Sequence, residues 1–217
     1  SNTTRFYLGG GYTYQESVWK PMSFDRGSFK FNLDHKINNS ISIGTSNTFS
    51  KSYRNQARPA NGGNGTLLQA SLNIPTYLPI FAEDGTPLKW VNFDNIDVLT
   101  STVNLWSNSY HYVGNVYVDV NFSKKLKFRS SFGVDYNNYN ESEYWDTRTI
   151  LGSAGGRATE SVTQSSTAIN EQTLNYNTTL GNHSIGLLVG NTIQGVELKN
   201  VSATGTNFPN NAYTQIS

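Results

Sequence analysis

Three histidines, fifteen acidic residues and one glycine-rich run are the parts of this sequence that could do chemistry. Their spacing argues against it. His35, His111 and His183 are scattered, and no second ligand or nucleophile is tied to any of them by metal or triad spacing. Glu141, Glu143 and Asp146, with Asp135 nearby in sequence, invite a calcium site or a glycosidase pair. They lack the D-x-[DN]-x-[DN]-G order of a calcium loop and read as solvated loop residues. Glu83 to Gly85, set between Pro79 and Pro87, reads as a turn whose glycine takes a positive φ. The run ARPANGGNGTLLQ from Ala57 lacks the Gly-Lys-Ser/Thr ending of a phosphate loop and has no β-α unit around it, so it reads as a flexible surface loop. With no cysteine in the chain, thiolate zinc sites and cysteine nucleophiles are excluded. The expectation is a protein without catalytic residue, metal or cofactor, and not an enzyme.

Recognition is a better use of these side chains than catalysis. Trp19, Trp90, Trp106, Tyr139, Tyr144 and Trp145 fall in or beside long connecting segments. Aromatic faces stack on sugar rings and anchor protein contacts, so these six are the candidate ligand- or partner-facing residues; packing of the loops on one another is the competing use.

The elements that must position them are strands. In KKLKFRSSFGVDYNN, Leu126, Phe128, Ser130, Phe132, Val134 and Tyr136 alternate with Lys127, Arg129, Ser131, Gly133, Asp135 and Asn137, which gives a mostly apolar face and a polar one. The same alternation recurs in Phe6–Tyr14, Phe29–Ile37, Ile41–Phe49, Tyr112–Phe122, Gln172–Leu180 and Ile185–Ile193. A possible helical turn near Thr66 to Leu72 is the exception, so the fold class is all-β. Lys30, Asp34, Asp119, Lys127, Arg129 and Asp135 share the polar face.

Connections sort by parity. INNS, SKK and GNH join strands two to three, four to five and six to seven; ESVWKPMSFDRG and segments over about 50–110 and 138–168 join the others. In antiparallel up-and-down strands this puts short turns at one end and long loops at the other, the arrangement of an outer-membrane barrel. Phe49, Tyr12, Tyr14, Tyr110, Tyr112 and Tyr136 near the long-loop end suit an aromatic girdle. Hydrophobic content of 36% beside 13% aromatics suits a sheet wetted on one face. A net charge of +1 gives no reason to expect nucleic acid. Neither end carries a signal-like or closing element, which suggests a segment of a longer chain.

The ordered blocks YLGGGYTYQESVWK, FDRGSFKFNLDHKINNSISIGTSNTFS, LLQASLNIPTYLPIFAEDGTP, YVGNVYVDVNFSKKLKFRSSFGVDYN, EQTLNYNTTLGNHSIGLLVGNT and SATGTNFPNN resemble the barrel region of SusC/RagA-type TonB-dependent outer-membrane transporters of Bacteroidetes. The resemblance implies that residues 1–217 are part of the wall of a transmembrane barrel of about 22 strands. It implies import of an oligosaccharide or peptide across the outer membrane, loops extracellular, with a SusD-type lipoprotein lid, TonB as the energising partner and outer-membrane lipid around the wall. The competing reading is a soluble or surface-attached β-sandwich that binds carbohydrate, in which one sheet would have to cover another.

Overall fold

The computed structural model describes residues 3–56, 67–90 and 92–216. Seven antiparallel strands form one sheet in sequence order: β1 (Thr4–Glu16), β2 (Ser23–Lys36), β3 (Ile41–Asn55), β4 (Asn104–Asn121), β5 (Leu126–Trp145), β6 (Arg157–Leu180) and β7 (His183–Thr206). Each strand pairs with its sequence neighbours alone, and no second sheet covers the first among the described residues. This is the all-β, up-and-down architecture expected from the alternation.

The register carries one face across the whole sheet. Leu33 lies beside Thr45, Thr45 beside Val116, Val116 beside Phe132, Phe132 beside Asn170 and Asn170 beside Ile193. Phe6, Leu8, Phe29, Val116, Phe132, Leu187, Val189 and Ile193 share this face and are all exposed. An aromatic row crosses four strands on it: Phe29, Phe49, Tyr112 and Tyr136 occupy successive register positions. From Tyr110 on β4 to Phe122 just past its end, the chain would rise roughly 28 Å at a 45° tilt, close to the height of a barrel's apolar band. Where the band turns polar, on β6 and β7, amides satisfy one another. Asn191 Nδ2 donates to Gln172 Oε1 at 3.1 Å, the Gln172 amide donates to Asn170 Oδ1, and Asn170 Nδ2 donates to the Ser131 carbonyl at 3.2 Å.

The short turns use a repeated device. Asn38 Oδ1 accepts from the amides of Ser40 and Ile41, and Ser123 Oγ accepts from those of Lys125 and Leu126. Each side chain mimics a backbone turn and leads directly into the next strand. The third hairpin closes on Gly181, whose φ of 61° favours glycine.

At the opposite end the strands outrun the sequence expectation. The loop expected over about 50–110 narrows to residues 56–103, and that over 138–168 to residues 146–156. ESVWKPMSFDRG leaves residues 17–22 as loop. Above Tyr136, Asn138, Asn140 and Ser142 replace the apolar residues on the outer face while Asn137, Tyr139 and Glu141 hold the other. Both faces are polar there, so alternation fades although the backbone ladder continues. Trp106, Tyr139, Tyr144 and Trp145, expected in loops, are therefore strand residues. Helix α1 (Leu67–Asn73) stands where the sequence suggested a helical turn, and α2 (Ile96–Ser101) is a helix that the sequence reading missed.

No apolar core lies beneath the sheet among the described residues. Among the described residues the fully buried apolar side chains sit in or beside a cap at the long-loop end. Leu67, Ala70, Leu99, Leu105 and Trp145 form it, with Trp19, Met22, Ile74, Ile96, Val103 and Leu151 packed around. A sandwich must bury one face of each sheet in a shared core. This sheet leaves its apolar face uncovered, which is what a barrel wall offers to lipid.

Candidate functional site

Two surfaces can do something: the polar face of the sheet and the cap above it. On the polar face Gly44 leaves a floor on which the Tyr117 ring lies; a Cβ there would run into that ring. Tyr117 donates to Asp34 Oδ1 at 2.5 Å, two strands away, and the Arg129 guanidinium sits 4.5 Å from its centroid. Arg129 in turn donates twice to Asp119, from Nε at 2.6 Å and Nη2 at 2.7 Å. One belt of side chains thus ties β2 to β5 across a face with no core. Higher up, His111 Nε2 lies 2.8 Å from Asp135 Oδ1 and Ser109 donates to Asn137 Oδ1 at 2.6 Å. Lys30, Asp34, Asp119, Lys127, Arg129 and Asp135 share this face, as the alternation required.

The cap is built from segments far apart in sequence. Asn95 caps α2 (Ile96–Ser101) by accepting from the Asp97 amide, and its Nδ2 donates to the carbonyls of Ile80 at 2.8 Å and Leu88 at 2.9 Å. At 1% exposure it is buried with its amide satisfied, which organises the 78–95 stretch around one side chain. Asp94 Oδ1 accepts from the Ile150 amide at 2.7 Å, and Lys89 Nζ donates to the Thr147 carbonyl at 2.9 Å. These bonds lock the 56–103 loop to the 146–156 loop. Asp146 accepts both forks of Arg148, at 2.9 Å each. Burial works to raise the Asp146 carboxyl, but the Arg148 guanidinium and backbone amide, with Lys89 behind them, hold it below the ordinary carboxylate range.

The six candidate aromatics separate by burial. Trp145, 1% exposed, and Tyr144, 2% exposed, are packing residues with no face left for a ligand, which corrects the expectation for both. Trp145 belongs to the cap core and Trp19 packs against it. Tyr144 meets Phe208 edge-on at 5.9 Å and donates to Asn211 Oδ1 at 3.1 Å. Trp106 is half-buried and stacks on Tyr53 at 6.3 Å. Trp90 and Tyr139 are also half-buried, Tyr139 on the polar face. The six are spread over the cap, the outer face and the polar face rather than gathered in one site.

The acidic candidates do not converge. Glu141 and Glu143 stay on β5, Asp135 lies toward mid-strand with His111, and Asp146 is held by Arg148. No group of three metal-binding side chains exists among the described residues. Glu83 to Gly85 is the expected turn: Gly85 has a φ of 80°, and Asp84 accepts from the Thr86 amide and hydroxyl, at 2.9 and 2.7 Å. The glycine-rich run from Ala57 lies largely outside the described residues.

No family model matches the chain. It is 25% identical over 97% of its length to TonB-dependent receptor P3 of Formosa agariphila, and 26% identical over 98% to TonB-dependent receptor P26 of the same organism. It spans 22% of the length of each. Among solved structures, the RagAB peptide importer in its closed-closed state superposes on 96% of the chain, and 25% of that chain, with a TM-score of 0.76 and 19% identity. The RagAB peptide transporter gives a TM-score of 0.75 and 20% identity over 96% of this chain and 25% of that one. Single-layer wall, parity-sorted loops and sequence thus meet in one result: this chain is similar along its length to TonB-dependent receptors of a Bacteroidetes, and its fold is that of an arc of a RagA-type transporter barrel.

Proposed function

We propose that residues 1–217 form part of the barrel wall of an outer-membrane, TonB-dependent importer of oligosaccharides or peptides. The observation that carries this is the uncovered apolar face, continuous over seven strands and without a core beneath it. Only a surrounding apolar phase stabilises such a face, and closing the sheet satisfies its edge strands. The strand ends beyond the apolar band, with the cap on them, stand outside the cell in this reading. They offer a docking surface to a SusD-type lipoprotein lid. TonB acts through a part of the protein beyond this segment. Trp19, Trp90, Trp106 and Tyr139, which keep exposed surface, are the aromatics left to meet lid or ligand.

The test is uptake of a labelled oligosaccharide and peptide mixture by cells with and without the gene, before and after a protonophore. Import predicts a component whose uptake needs both the gene and the proton gradient, with the protein in the outer-membrane fraction. Unchanged uptake, together with protein in the soluble fraction, would overturn it.

A further inference from the structure

On the polar face, β1 to β3 carry cations that pair with no carboxylate among the described residues. Between register positions Tyr7–Asn32–Ser46 and Gln15–Phe24–Arg54 this face holds Arg26, Lys30 and Arg54 and no carboxylate. All three are exposed, and among the described residues none of them forms an ion pair. Arg129, on the same face at β5, is paired with Asp119. Among the described residues Arg26 reaches Ser50 Oγ, at 3.4 Å, and Arg54 lies 5.4 Å from the centroid of Phe24.

The surroundings of the cations are specific too. Tyr7, 54% exposed, turns its ring along the strand over Gly9, where a Cβ would meet it at 2.5 Å. Gly9 is the register partner of Lys30, so the ring lies over the position that faces Lys30 on the next strand. Hydroxyls of Ser28, Thr48 and Ser52 lie beside the cations, and that of the buried Ser50 accepts from Arg26. Arg26 stands four residues from Lys30 along β2, roughly 13 Å, and Arg54 about 8 Å from Arg26 on the next strand. That spacing fits charges repeated along a polymer better than a single small anion.

We propose that this strip binds an anionic oligosaccharide during passage, with Arg26, Lys30 and Arg54 taking its carboxylate or sulfate groups and Tyr7 stacking on a sugar ring. The proposal rests on the import reading and narrows its substrate to acidic sugars. Hydroxyls suit a ligand that is itself rich in hydroxyls, and the flat ring suits a pyranose face.

The experiment uses the full-length protein in detergent and three probes of matched length: an oligogalacturonate, a chondroitin sulfate oligosaccharide and a neutral malto-oligosaccharide. At least one anionic probe is expected to bind more tightly than the neutral one, and to weaken as salt is raised. Which of the two wins distinguishes carboxylate from sulfate. R26Q/K30Q/R54Q is expected to weaken that probe at least tenfold, single variants by less, and R26K/R54K to restore it. Equal affinity in wild type and triple variant overturns the proposal. So does a triple variant whose ligand-free thermal midpoint falls while probe affinity holds, because the cations then serve an internal acidic segment. Binding of the neutral probe alone, or of an acidic peptide in place of either anionic sugar, overturns the acidic-sugar assignment while import stands. Failure to bind any probe, with uptake independent of the gene, removes the import reading as well.

Discussion

Tyr117 lies against the wall because Gly44 gives its ring a floor, and from there its hydroxyl reaches Asp34. G44A should push the ring off and break that bond, costing about 1 kcal/mol in stability, read as a lower thermal midpoint of the full-length protein. Asp146 makes the second residue-scale prediction. Its carboxyl holds a proton less readily folded than unfolded, so its contribution is complete above the unfolded value near 3.9 and is lost as pH falls through the depressed folded one. D146N removes that contribution at every pH. Amide exchange across 146–156 should be faster in D146N than in wild type at neutral pH, the cap weaker by about 1–3 kcal/mol, and the two should converge in strong acid. Equal exchange at neutral pH would show that Arg148 does not hold this loop. Little of this was legible in the sequence. Asp34, Tyr117 and Arg129 could be assigned to one face by counting, but their contact depends on a register that fixes which residue stands opposite which. Asp146 and Arg148, two apart in a loop, carry no periodic signal at all.

At the scale of the elements, face assignment is the claim that matters. Val118 and Phe132 lie in the apolar band, while Thr48 and Ser131 lie on the polar face. V118K and F132K should each cost about 2–4 kcal/mol near the membrane midplane and lower the folded fraction on a semi-native gel, whereas T48K and S131K should assemble normally. Normal assembly of all four would reverse the facing. Strands β1 to β5 could be read from the sequence through the membrane band because lipid outside and water inside enforce a period of two. Their upper ends could not, since water on both sides removes the constraint. That is why Tyr139, Tyr144 and Trp145 looked like loop residues, and why β6, legible from Gln172, in fact begins at Arg157. Helix α2 is too short to show a period, and its cap, Asn95, is recognisable only once Ile80 and Leu88 are seen to accept from it.

For the whole molecule, the parity of the loops and the order of the blocks carried more information than any single residue. Short turns at one end and long segments at the other survived in the structure even though each loop proved shorter than expected. The cap has its own buried core while the sheet has none among the described residues, so the two ought to respond differently to solvent. Detergent removal should aggregate the protein through the apolar face, and proteolysis in detergent should begin in the cap loops. Site-directed spin labels from Tyr110 to Asn121 on β4, and at Phe122 just past it, test the central claim most directly, by oxygen accessibility in a lipid bilayer. A wall facing lipid predicts high oxygen accessibility at the even positions and low accessibility at the odd ones across that whole span. Uniform accessibility, or low values at Val116 and Val118, would mean that protein rather than lipid covers this face.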